Sequence, residues 1–336
     1  MHTDTFVTTV YVIVDDLLKL LQGPRPRRGR PPLHSDSEII TLLLLAQWHG
    51  RGSERAALRF AQQHWEGYFP GIARVGQSSF NKRGRSLRGD LARIGPAVAA
   101  QAAALDGGGG VYEAVDCTAV PLMSLRRGER ARLFGPGEAS VGRGGVDRGW
   151  YYGVKLCMAV SAQGSATAFL AGPANTEDRW MAEALFRWRA NPDGGQPTAE
   201  ELAVVLGPAH RSRGARIGPT GPLWPVEGAG EQLGDAYLAD KGFAGERWTS
   251  HWAQDYGSVV LTPRSDAKPE DLNAKRQIVE TAFAFLIDRL HLRFPRARTF
   301  SGLVARIAAK VAALNLSVLV NRLWGNPPGA LVDPIA

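Results

Sequence analysis

The alternation of apolar and polar positions divides the chain into an all-helical first third and a mixed region that begins near residue 110. Residues 1–22 read as an amphipathic helix. Residues 23–34 form a basic Pro/Arg linker, with GPRPRRGRPP at its start, which cannot be helical. Ser35 and Glu38 have capping-box spacing ahead of the apolar run IITLLLLAQW, which predicts a helix from near Asp36 to the Gly50-Arg51-Gly52 break. Ser53 caps a second predicted helix, whose Ala57, Phe60, Ala61, His64 and Trp65 share a face. A third is expected from about Ser78, carrying Lys82, Arg83, Arg85 and Arg88. Residues 35–105 suit a helix-turn-helix-like DNA-binding domain with that basic helix against DNA, or equally a helical packing or dimerisation unit.

Beyond Gly107–Gly110 the periodicity changes. VYEAVDCT is short, β-branched and bounded by glycines, so it reads as a strand ending near Asp116. WYYGVKLCMAV and SATAFLAG read as two more, joined by an Ala162-Gln163-Gly164 turn. A helix is expected from Thr176 to about Arg189. Residues 190–232 read as an insertion or long loop with one short helix, AEELAVVL. Strand DAYLAD, helix AGERWTSHWAQDY, strand SVVLT and a long helix from about Leu272 to Leu290 follow. A last apolar helix spans about Leu303 to Leu323, within a C-terminal segment 301–325. Three strands in meander and then alternating helices and strands predict an α/β fold over residues 110–300, with a mixed five-stranded sheet covered by helices.

Composition narrows the function classes. A hydrophobic fraction of 44% supports a real core. No apolar stretch is expected to reach the length that crosses a bilayer, and the N-terminal segment carries Asp4, Asp15 and Asp16, unlike a signal peptide. Cys117 and Cys157 are too few for a disulfide scaffold and form no C-x-x-C pair, so a reducing cytoplasm is the expected setting. The formal net charge of +8 points to an anionic partner. The basic residues cluster in residues 23–93, at Arg126, Arg127, Arg130, Arg132, Arg143 and Arg148, and again at Arg289, Arg293, Arg296, Arg298, Arg306 and Lys310. Within the linker, Arg28-Gly29-Arg30-Pro31 looks like an AT-hook, whose arginines enter the minor groove; a plain basic linker is the alternative.

Three acids stand out against this basic background. Asp116 and Asp240 each end an apolar run, and Glu280 lies in the helical stretch RQIVETAFAFLIDRL. Carboxylates converging from distant segments are what two-metal phosphodiester cleavage requires. Their hard oxygens favour Mg²⁺ or Mn²⁺. Asp235 competes with Asp240, but it begins its run and an odd number of residues puts it on the opposite face. Glu177 and Asp178 read as helix N-terminal charges rather than ligands. His251 and His291 receive no catalytic role.

With SDSEIITLLL, YYGVKL, ADKGF around Asp240, RQIVETAF around Glu280 and the tail RARTFSGLVARIAAKVAALNLSVLVNRL, the chain resembles bacterial insertion-sequence transposases of the DDE type. The resemblance runs from about Ser35 to Trp324, interrupted at 185–232. It implies a ribonuclease H-like core of the retroviral-integrase superfamily, in which Asp116, Asp240 and Glu280 bind two Mg²⁺ or Mn²⁺ ions. It also implies that Arg276, one turn before the glutamate, orients Glu280 or contacts a phosphate, and that Lys241 and Lys155 contact DNA. Related chains carry a tyrosine and a lysine where this one has Asn273 and Ile287, so a base-flipping or hairpin role does not carry over.

The expected activity is therefore metal-dependent cleavage and strand transfer at the inverted-repeat ends of a mobile element. The expected partners are double-stranded DNA at element ends and target, with no membrane. A homodimer or larger assembly would form on DNA, in the bacterial cytoplasm and associated with the nucleoid. The rival readings are a metal-dependent nuclease without strand transfer and a catalytically inactive DNA-binding regulator.

Overall fold

The computed structural model describes residues 3–23, 32–50, 53–108, 110–128, 134–135, 137–144, 149–206, 221–224, 226–263 and 270–326. Arg28 and Arg30 of the AT-hook-like segment lie outside them, as do Arg130, Arg132 and Arg148. Five helices come first: α1 (Thr3–Gln22), α2 (Asp36–Trp48), α3 (Glu54–His64), α4 (Gln77–Ser86) and α5 (Arg88–Leu105). The capping box forms as the spacing predicts. Ser35 Oγ accepts from the Glu38 amide at 3.1 Å, and Glu38 Oε2 accepts from the Ser35 amide at 2.6 Å. Ser53 caps α3 in the same way, accepting from the Ala56 amide at 3.1 Å.

The mixed region runs β1 (Tyr112–Met123), α6 (Leu125–Gly128), β2 (Ser140–Arg143), β3 (Trp150–Ser161), β4 (Ala166–Pro173), α7 (Asp178–Ala190) and α8 (Ala199–Leu206). It continues with β5 (Ala236–Leu238), α9 (Glu246–Tyr256), β6 (Val260–Leu261), α10 (Glu270–Ala284) and α11 (Phe300–Leu323). The sheet is mixed and has six strands in the order β2-β3-β1-β5-β6, with β4 also paired to β3. β1 is antiparallel to β3 and parallel to β5, and β5 is parallel to β6. The sixth strand is β2, which pairs with the first residues of β3. Its sequence, Ser-Val-Gly-Arg, carries no apolar alternation; only its partner's backbone recruits it. Near the end of the insertion, Trp224 and Ala229 bridge to Ala171 and Ala168 and so cover part of the β4 edge.

Two apolar cores flank the sheet. One holds Val115, Cys157 and Leu170 of the strands against α7 and α9. The other is continuous from Phe6, through Leu44 and Leu91, to Ala114, Val154, Leu286 and Leu316. The helices before residue 105 and one face of the sheet thus share a core, so the change near residue 110 is one of secondary structure rather than of packing unit.

The reason lies in α2 and α11. Both are apolar on nearly every side, and such helices sit centrally. α11 corrects one expectation: it is long and apolar enough to cross a bilayer, yet 94% of its most apolar stretch is buried inside the protein. The amide at its centre is fully satisfied there. Asn315 donates to the carbonyls of Gly95 and Ala166 at 2.7 Å each and accepts from the Ala166 amide at 2.7 Å. α5, β4 and α11 are joined through that one amide.

Candidate active site

Parallel pairing of β1 with β5 aligns Tyr112 with Ala236, Glu113 with Tyr237 and Ala114 with Leu238. Two residues further along each chain stand Asp116 and Asp240. Carried two residues past the last pair, the same register brings the two toward each other, and the Asp240 charge acts on Asp116. Asp116 is not at the end of its strand, as its apolar run suggested, because β1 continues to Met123 along β3. It sits instead where the pairing with β5 stops and the sheet opens. Asp235 begins at the other end, its amide donating to the Val111 carbonyl at 3.2 Å.

Local contacts hold both carboxylates. After buried Tyr237, Leu238 and Ala239, the chain turns at Lys241–Phe243, with Phe243 buried as an anchor. Asp240 caps this turn, accepting from the Gly242 amide at 2.7 Å. Asp116 accepts from the Cys117 amide at 2.7 Å. Burial pushes the Asp116 carboxyl from 3.8 up to about 7; the Cys117 amide opposes this, the Asp240 charge adds to it, and Arg276 again opposes. Asp116 therefore feels the Asp240 charge.

α10 packs across β1 and β5 through Val279, Ala282 and Phe283, all buried. Arg276 lies half-buried one turn earlier, and its Nε is buried without a hydrogen-bond partner. Glu280, one turn after Arg276 on the same helix, is exposed. Among the described residues, no three His, Cys, Asp or Glu side chains close into a group able to hold a metal ion. The structure thus brings together Asp116, Asp240 and Arg276. Glu280 is exposed and closes no acid group with them among the described residues.

The other predicted contact residues divide by what they already touch. Lys155 points inward: its Nζ donates to Asp178 and to the Thr176 carbonyl, both at 2.6 Å. Burial works against its charge, but the Asp178 carboxylate, with Cys117 and Cys157 adding to it, outweighs burial and holds the ammonium above its usual value. Arg83 is likewise engaged, braced against the His34 carbonyl at 2.5 Å and paired with Asp36 at the start of α2. Arg85 is half-buried, and Arg88 is exposed. Lys241, beside Asp240, is exposed.

Sequence reasoning passed over Asp178. It is the first residue of α7, as a helix N-terminal charge should be, yet it also holds Lys155 and its charge reaches Asp116. Only the β3 register, which faces Lys155 toward α7, reveals that role. Cys117 and Cys157 are direct cross-strand partners, and burial pushes the Cys117 thiol up. Comparison of the chain with protein-family models, curated proteins and solved structures gives no match.

Proposed function

We propose that the chain is a DDE-type DNA transposase built on a ribonuclease H-like core, with which the mixed helix-flanked sheet is compatible. The observation that carries this reading is the Asp116–Asp240 pair, brought together at the point where β1 outruns its parallel neighbour. Crevices at the carboxyl ends of parallel strands are where open α/β sheets place their ligands.

The pair suits a divalent cation. The Asp240 charge raises the proton affinity of Asp116, and a cation between these two hard carboxylates would relieve that repulsion. Asp116 and Asp240 would hold Mg²⁺ or Mn²⁺, with Glu280 as the third ligand. Two ions are expected, and they would supply nucleophile activation and leaving-oxygen stabilisation. Arg276 has an unused buried Nε next to the aspartates and would pair with a phosphate oxygen. Lys241, exposed at the same turn, would add a second positive contact. The partner is double-stranded DNA at element ends and target, and two ends call for at least a dimer.

A second reading, an inactive DNA-binding regulator, draws on the exposure of Glu280 and the unclosed acid cluster. Asp240→Ala separates the two. Incubated with Mg²⁺ and a duplex carrying the inverted repeats that flank the gene, wild type should nick at the repeat end and the variant should not, while both bind the duplex equally. Wild-type binding without Mg²⁺-dependent cleavage would establish the regulator reading instead. Joining of pre-cut ends to a target plasmid distinguishes a transposase from a nuclease.

A further inference from the structure

The connection between α10 and α11 is strained. His291, Phe294 and Arg296 have φ of 52°, 53° and 56°, and among the described residues no other non-glycine has positive φ. Such residues persist only where surrounding contacts over-determine them. Those contacts are present. The Leu292 amide donates to the Leu286 carbonyl and the Phe294 amide to the Pro121 carbonyl of β1, both at 2.8 Å. Arg306 bonds the Pro295 carbonyl, and Lys310 bonds the Leu290 carbonyl.

What the strained backbone presents is a cation–aromatic–cation array. Phe294 is 52% exposed. Arg293, Arg296 and Arg298 are exposed and have no hydrogen-bond or ion-pair partner among the described residues. Phe294, Arg293 and Arg296 also line a cleft of about 480 Å³ whose other walls come from α2, α3 and α11. Holding a half-exposed phenyl ring outward between unpaired guanidinium groups does nothing for stability. It matches how proteins bind unpaired nucleic acid, with aromatic rings stacking on bases and arginines following phosphates.

We propose that residues 291–298 form a DNA-strand contact in which Phe294 stacks on an unpaired base while Arg293 and Arg296 pair with the flanking phosphates. The proposal rests on the DNA-processing reading above and adds a location to it. Pro121, to which the loop is tied, lies five residues beyond Asp116 on β1, about 17 Å at strand rise. The stacked base would thus lie about five nucleotides from the phosphate at the acid pair, at about 3.4 Å per nucleotide.

The test uses the full chain and two fluorescein-labelled 30-nucleotide duplexes, one intact and one with a central three-nucleotide mismatch bubble, read by anisotropy. Wild type should bind the bubble about tenfold more tightly, the fold-change that one base–aromatic stack carries. Phe294→Ala should lose this preference while binding the intact duplex within about twofold of wild type, and Phe294→Trp should keep it. Replacing both Arg293 and Arg296 with Ala should weaken both probes and lower the salt slope by about two. A preference that survives Phe294→Ala overturns the proposal. So does wild-type duplex binding without any bubble preference, or a shift in the DNA-free sedimentation of Phe294→Ala, which would make the ring a subunit contact. Wild type that binds neither probe sinks the DNA-processing reading itself, a separate outcome.

Discussion

Replacing Lys310 with methionine should change the pH dependence of stability in a direction and by an amount that the structure dictates. Lys310 is 7% exposed in the middle of α11. Its ammonium donates to Gln47 Oε1 of α2 at 2.8 Å and to the Leu290 carbonyl, where the strained loop begins. Burial above all, with help from Arg306, one turn away and itself paired with Glu54, pushes it from 10.5 down to about 7. Because the folded state disfavours the charged form, the unfolded chain binds more protons between pH 7 and 10.5, and stability rises with pH across that window. The contribution is fully present above 10.5 and is lost as pH falls to about 7. Below that the penalty is constant. A downward shift from 10.5 to about 7 corresponds to about 5 kcal/mol. Urea unfolding followed by tryptophan fluorescence from pH 6 to 10 measures it. Wild-type stability minus that of Lys310→Met should climb by about 1.4 kcal/mol per pH unit between pH 7 and 10. Methionine keeps the volume and removes the charge, and the lost hydrogen bonds cost about 1 kcal/mol each, so the variant should be the more stable protein at pH 7. A difference that stays flat with pH would refute the argument.

Two further outcomes test the joints of the fold. Asn315→Ala strips three buried hydrogen bonds from the junction of α5, β4 and α11 and should cost about 2–4 kcal/mol in the same unfolding assay. Glu113→Gln leaves Arg189 buried without its carboxylate partner and should cost about 3–5 kcal/mol; converting Arg189 to Met in addition should recover most of that loss.

Much of this protein could be read from the order of its residues. Helix starts at Ser35 and Ser53 are local chemistry, since a side-chain oxygen satisfies an orphan amide three residues away and needs nothing else. The strands around Leu156 and Phe169, and the helices that alternate with strands after Thr176, follow from short-range periodicity alone. Asp116 and Asp240 stood out for the same reason, since each breaks an apolar run. The flanking motifs supplied the expectation that Glu280 and Arg276 belong with them.

Tertiary structure decided the rest, because those features depend on which backbone lies alongside which. Register alone sets Asp116 beside Asp240 and makes Asp116 a mid-strand residue. β2 has no apolar signature and exists because β3 offers it an edge. A basic residue looks the same in a sequence whether it faces solvent or an internal carboxylate, so only packing could turn Lys155 toward Asp178 and Arg83 toward Asp36 while leaving Arg293 and Arg296 free of such partners. Likewise, a mostly apolar helix of 24 residues is compatible with a bilayer or with a protein interior, and the surrounding helices chose the interior for α11. Local chemistry names an element; long-range contacts assign its neighbours.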